Sequence, residues 1–111
     1  MKQVTESQWT VQERSLIKAA LAAARSREAE AIIQVVRQQS SDISSLEDVW
    51  QLHDFLSARR FDLDGKYGDD GEEEILFLLA KLTKDGWLEA QDLSGLEASK
   101  RSKITALTRV L

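Results

Sequence analysis

The sequence predicts an all-α protein: one very long N-terminal helix, a small helical head, and a two-fold elongated homodimer as the assembled form. Three observations lead there. Proline is absent and the five glycines all lie after residue 64, so nothing in the first half breaks a helix. Apolar residues recur at spacings of three and four rather than two. The one strand-like stretch, "ILFLLAKL" at 75–82, is bracketed by helix-start and helix-stop residues and reads as a buried helix. At 111 residues the chain is one domain, 1–111, with a modest core that gains from a partner or a second copy.

The first helix is expected over about 10–39. It opens on "TVQE", where Thr10 and Glu13 form the Thr-x-x-Glu box that satisfies the free amides of a first turn. Leu16, Ile17, Ala20, Leu21, Ala24, Ala31, Ile32, Val35 and Val36 then mark one stripe up to the polar run "RQQSSD". Such a helix is about 45 Å long, against a radius of gyration of about 13 Å for a compact chain of this size, so it is expected to protrude from its own domain. A protruding amphipathic stripe is most simply covered by a copy of itself in a two-fold dimer, and the alanines between 19 and 31 allow close helix approach. The second helix is expected over about 45–64, with Ser44-x-x-Glu47 and Ser45-x-x-Asp48 as capping pairs. The third, about 70–85, has acids at its start, as the helix dipole prefers, and Gly86 at its end, with Trp87 placed to fold back. The last, about 94–111, starts from Ser94-x-x-Glu97.

Composition removes several function classes. There is no cysteine, which excludes disulfides, thiolate metal sites and cysteine nucleophiles and fits a reducing cytoplasm. The start, "MKQVTESQWTV", has no apolar signal region, and no stretch has the apolar length of a membrane span. Net charge is −4, concentrated at 62–74, where seven acids face Lys66 alone. The last fourteen residues carry Lys100, Arg101, Lys103 and Arg109 with no acid, a basic face too small for nucleic acid.

Two motif readings fail on spacing. An EF-hand loop starting at Asp62 would place Lys66 at its fifth position and Tyr67 where glycine is required, and one using Gly86 of "DGWL" as its sixth position would put Lys81 at the first ligand position. His53, the only histidine, shares a helix face with Ser57, but mid-helix amides are already bonded and offer no oxyanion hole. Asp54 points about 100° away around the helix, poorly placed to orient the ring. One histidine without cysteine is too few ligands for a usual zinc site. No enzyme activity, metal or cofactor is expected.

Trp50, His53, Asp54, Ser57, Arg60 and Phe61 share one face of the second helix, while Leu46, Val49, Leu52, Phe55, Leu56 and Leu63 supply its apolar side. Tryptophan and arginine among ionisable groups is the composition of a protein-binding hot spot. Periodicity equally allows Trp50 as a core anchor with His53 as its satisfied partner at a dimer seam.

The stretch "VWQLHDFLSARRFDLDGKY" at 49–67 resembles the central helix of the cyanobacterial fluorescence recovery proteins. The likeness extends more weakly through "SQW", helix 1, "KDGWLEAQDL" and "KRSKITALTR". It implies an all-helical dimer that binds the photoactivated, red orange carotenoid protein, mainly on its C-terminal domain. It also implies that the protein speeds the return to the orange form and detachment from the phycobilisome, ending non-photochemical quenching. A place at the cytoplasmic face of thylakoids, through phycobilisomes, follows, with no cofactor, small-molecule substrate or membrane insertion. Carried over position by position, the resemblance makes Trp50, His53, Asp54 and Arg60 the partner-binding patch, Phe77 and Lys103 a second contact region, and Ile33 a dimer contact, to which Val36 of the first helix's stripe and Val49 of the second helix's apolar side are added as expected interface residues. Arg59 and Phe61 stand where the family form has lysine and histidine, and the loop at 68–71 is one residue longer. The other function in view is a dimeric helical adaptor of the same fold serving another partner in stress signalling.

Overall fold

The computed structural model describes residues 9–67 and 72–111. Its described elements are α1 (Val11–Ser41), α2 (Leu46–Lys66), α3 (Glu72–Lys84), a 3-10 turn (Ala90–Leu93) and α4 (Ala98–Val110). The described residues contain no strand. The fold is all-helical, with a long N-terminal helix. The loop expected at 68–71, and the expected start of the third helix at Asp70, lie outside the described residues.

The chain divides into two compact units, Met1–Ala24 with Asp69–Leu111, and Arg25–Gly68. In the first, the opening turns of α1 supply Ile17, Ala20 and Ala24 to a core completed by Leu76, Leu79, Ala80 and Leu82 from α3, Leu88, Leu93, Leu96 and Ile104. These α1 residues follow one another at steps of three and four, the stripe that the sequence spacing traces. Trp9, just ahead of the helix, is buried as well. The Thr10–Glu13 box forms as expected: the Glu13 amide donates to Thr10 Oγ1 at 3.0 Å and the Thr10 amide to Glu13 Oε1 at 3.1 Å.

Glu13 does more than cap. It is 3% exposed, and its carboxylate accepts from Lys100 Nζ at 2.6 Å and from the Glu97 amide at 3.0 Å. It thereby ties the start of α1 to the start of α4. Lys100, itself buried, lies with its ammonium 4.8 Å from the centre of the Trp9 ring, a cation–π contact with the water removed. Burial pushes the Glu13 carboxyl up, but the bonds from Lys100 and from the Glu97 and Thr10 amides outweigh it and hold the carboxyl down at about 2.

Gly86 ends α3. Its φ of +89° lets the Gly86 amide reach the Thr83 carbonyl (3.2 Å) and the Trp87 amide reach Leu82 (2.8 Å). This pair of bonds closes a helix through a left-handed residue. The Ser94 cap expected for the last helix does not form. Ser94 follows the 3-10 turn, its hydroxyl donates to the Gln91 carbonyl, and α4 starts four residues past it with Glu97 as N-cap. The capping box here is the reciprocal Glu89–Asp92 pair around the 3-10 turn. Tertiary contact decides the difference, since the Glu97 amide is claimed by Glu13.

The second unit holds the rest of α1 and all of α2. No residue of α2 is fully buried, and among the described residues every fully buried apolar side chain falls in the first unit. The fully buried side chain of the second unit is an acid, Glu28, at 2% exposure.

Candidate protein-binding helix

α2 begins at Ser45, whose hydroxyl accepts from the Asp48 amide at 3.2 Å. The Asp48 carboxylate turns back to the Ser44 amide (3.0 Å) and hydroxyl (3.3 Å). Of the two expected capping pairs, Ser45 and Asp48 are the ones used. The Ser44 amide bond, ahead of the two serine hydroxyls and the Ser45 backbone, holds the Asp48 carboxyl below its ordinary value.

At its other end α2 is fastened by Glu28 of α1. The Glu28 carboxylate accepts from Lys66 Nζ at 2.9 Å and from the Tyr67 hydroxyl at 2.6 Å, and Arg59 Nη2 stands 3.9 Å away. Arg59 also pairs with Asp62 at 2.7 Å and Lys66 with Asp62 at 3.5 Å. Burial and the bond to Glu28 both raise the Tyr67 phenol well above its usual range. A buried carboxylate is costly unless it is paired and hydrogen-bonded, and the last turns of α2 supply both kinds of partner.

This anchorage divides the two arginines. Arg59 faces inward to Glu28 and Asp62, so Arg60, about 100° further round the helix, projects into solvent with its side chain 87% exposed and Asp64 3.9 Å away. Trp50 is 52% exposed and meets His53 edge to face, ring centres 6.2 Å apart. Asp54 lies 3.4 Å from His53 Nδ1, both side chains largely exposed. The expectation that adjacent positions keep Asp54 from the imidazole is thus only partly met, because exposed side chains bend across the angle to a long contact. Trp50, His53, Asp54 and Arg60 therefore form an exposed outer face of α2 rather than a core.

Ile33 and Val49 are exposed at 43% and 38%, and Val36 is half-buried; all three belong to the same unit as the patch. Phe77, 53% exposed on α3, and Lys103 on α4 belong to the other unit. No group of three or more candidate metal ligands is found among the described residues, and none of their helices is long and apolar enough to cross a membrane.

The pattern of helices and the outward face of α2 can be set beside known proteins. The family model described as "Photoprotection regulator fluorescence recovery protein" matches residues 9–108. The chain belongs to this family. The fluorescence recovery protein of Synechocystis sp. PCC 6803 is 42% identical over 110 residues, 99% of this chain and 100% of its relative. The solved structure of the Fremyella diplosiphon fluorescence recovery protein superposes with a TM-score of 0.85 at 44% identity, covering 92% of this chain and 99% of that one. That of the Synechocystis protein gives 0.85 at 42% identity, covering 91% and 98%. Membership in a family of photoprotection regulators places the function in regulation.

Sequence reasoning passed over the two buried acids, Glu13 beyond its cap and Glu28 altogether. The signal was present. Glu13, Ile17, Ala20, Ala24 and Glu28 follow at steps of four, three, four and four, so both acids stand in the apolar register, where a charge survives only with a dedicated partner.

Proposed function

We propose that this protein binds the photoactivated, red form of the orange carotenoid protein, mainly on its C-terminal domain. Binding accelerates return to the orange form and detachment from the phycobilisome, and so ends non-photochemical quenching. The observation that carries the reading is the exposed face of Trp50, His53, Asp54 and Arg60, in a chain of the fluorescence recovery family. Trp50 supplies contact area, Asp54 and Arg60 meet opposite charges on the partner, and His53 steadies the Trp50 ring. Phe77 and Lys103 form a second contact on the head. The working form is a two-fold homodimer joined through Ile33, Val36 and Val49; the exposure of Ile33 and Val49 in the single chain supports that role. The protein acts in the cytoplasm at phycobilisomes and brings no cofactor.

The mechanism is differential binding. A regulator that held the open, red form as tightly as the closing transition state would change nothing, so acceleration requires contacts that strengthen as the partner's two domains approach. The test is dark recovery: orange carotenoid protein is illuminated to its red form and its absorbance followed with and without this protein. A faster return that Trp50→Ala or Arg60→Leu abolishes, with helicity unchanged, supports the reading. No acceleration from a folded protein removes it and leaves an adaptor for another partner.

A further inference from the structure

The outer face of α2 carries more apolar surface than Trp50 supplies. Phe61 is 84% exposed, more than any other described large apolar residue. It follows Trp50 by eleven residues, close to three turns, so the two rings project within about 20° of one another and stand about 16 Å apart along the axis. Leu46, 64% exposed, continues the strip one turn before Trp50. Between the rings on the same strip lie Asp54, with its side chain 81% exposed, and Ser57. Arg60 flanks Phe61, while Arg59 is spent inward on Asp62 and Glu28.

The strip does not point where the proposed dimer contact points. Val49 lies about 100° from Trp50 and about 120° from Phe61 around the helix, so a second copy seated on Val49 leaves both rings facing elsewhere. Asp54 stands on the strip between the rings, and Arg60, about 80° from Trp50, flanks the strip on its edge towards Val49, an order that asks for a surface of matching pattern. Aromatic rings flanked by charge, and separated by a fixed helical distance, define an interface better than one ring can. A helix held at one point can pivot on its partner, whereas two anchors set its direction.

We infer that Phe61 is the second apolar anchor of the partner-binding face. The protein it meets presents two apolar hollows about 16 Å apart, with a cation opposite Asp54 between them and an anion opposite Arg60. This rests on the function proposed above, deepens it by defining the partner's contact surface, and makes Phe61 a determinant of docking direction.

The test compares the full-length wild type with Trp50→Ala, Phe61→Ala and Phe61→Leu for affinity to red orange carotenoid protein, with light scattering and circular dichroism on each free protein. Phe61→Ala is expected to weaken binding roughly tenfold, with Phe61→Leu in between, at unchanged helicity and mass. Affinity within about twofold of wild type, while Trp50→Ala still weakens binding, overturns the second anchor and leaves the function standing. A mass change on Phe61→Ala assigns the ring to self-association and overturns the inference. A wild type that does not bind overturns the functional reading and this inference together.

Discussion

Replacing Glu13 by glutamine removes the charge and one of its two acceptor oxygens. Glutamine keeps an oxygen for the Thr10 amide, since the capping box accepts either residue, but its NH2 cannot accept from the Glu97 amide, so the loss combines that bond with the buried pair to Lys100, whose nitrogen lies 2.6 Å from the carboxylate. The Glu13 carboxyl is lowered from 4.5 to about 2, a gap that corresponds to about 3 kcal/mol of stability in the ionised state. Breaking a buried pair by removing one member costs about 3–5 kcal/mol, so the two routes agree in size. A lowered carboxyl contributes fully above its unfolded value, and the contribution disappears as pH falls from 4.5 towards 2. Urea unfolding followed by far-UV circular dichroism, at one fixed protein concentration because self-association would shift the midpoint, should therefore find Glu13→Gln less stable by about 3 kcal/mol at pH 7. The two proteins should converge near pH 2. Adding Lys100→Met should recover much of the loss, since the uncompensated ammonium is then gone. A difference below about 1 kcal/mol at pH 7, or one that persists undiminished at pH 2, would refute the assignment of the stability to this charge.

Ile33→Glu should give monomers by light scattering with helicity retained, and an unchanged mass would remove Ile33 from the dimer contact. Tyr67 is the only tyrosine, so its ultraviolet titration can be read directly. It should ionise well above 10 in the wild type and move back towards 10 in Glu28→Gln. Because its folded value is raised, the stability it adds is complete below pH 10 and lost above. Tyr67→Phe, which deprives buried Glu28 of a 2.6 Å bond, should cost about 1.5–3 kcal/mol and speed amide exchange in the last turns of α2 relative to α4. Gly86→Ala should cost about 1 kcal/mol in urea unfolding, because φ of +89° is unfavourable for any side chain.

The elements were legible because their signals are local. The Thr10–Glu13 box, the Ser45–Asp48 cap and the Gly86 stop each lie within a few residues of the structure they specify. The failure at Ser94 has the opposite cause. Its spacing to Glu97 has the form of a capping box, but an amide that α4 would have needed capped locally is taken by an acid more than eighty residues earlier in the chain. The outward patch was half legible. Helical period put Trp50, His53 and Arg60 on one face, but period alone does not say which face is inside.

What the sequence by itself determined is the helical class and the family, because periodicity, caps and a nineteen-residue motif are all written in contiguous text. Tertiary structure decided which charges are structural and which are offered to solvent. Glu13 and Glu28 are ordinary acids on paper, and become buried fasteners only when Lys100, Lys66 and Tyr67 arrive from distant parts of the chain. The same packing separates two adjacent arginines into an inward tie, Arg59, and an outward contact, Arg60. The physical reason is that the fate of a charge depends on the solvent and partners around it, and these exist only after the chain has folded.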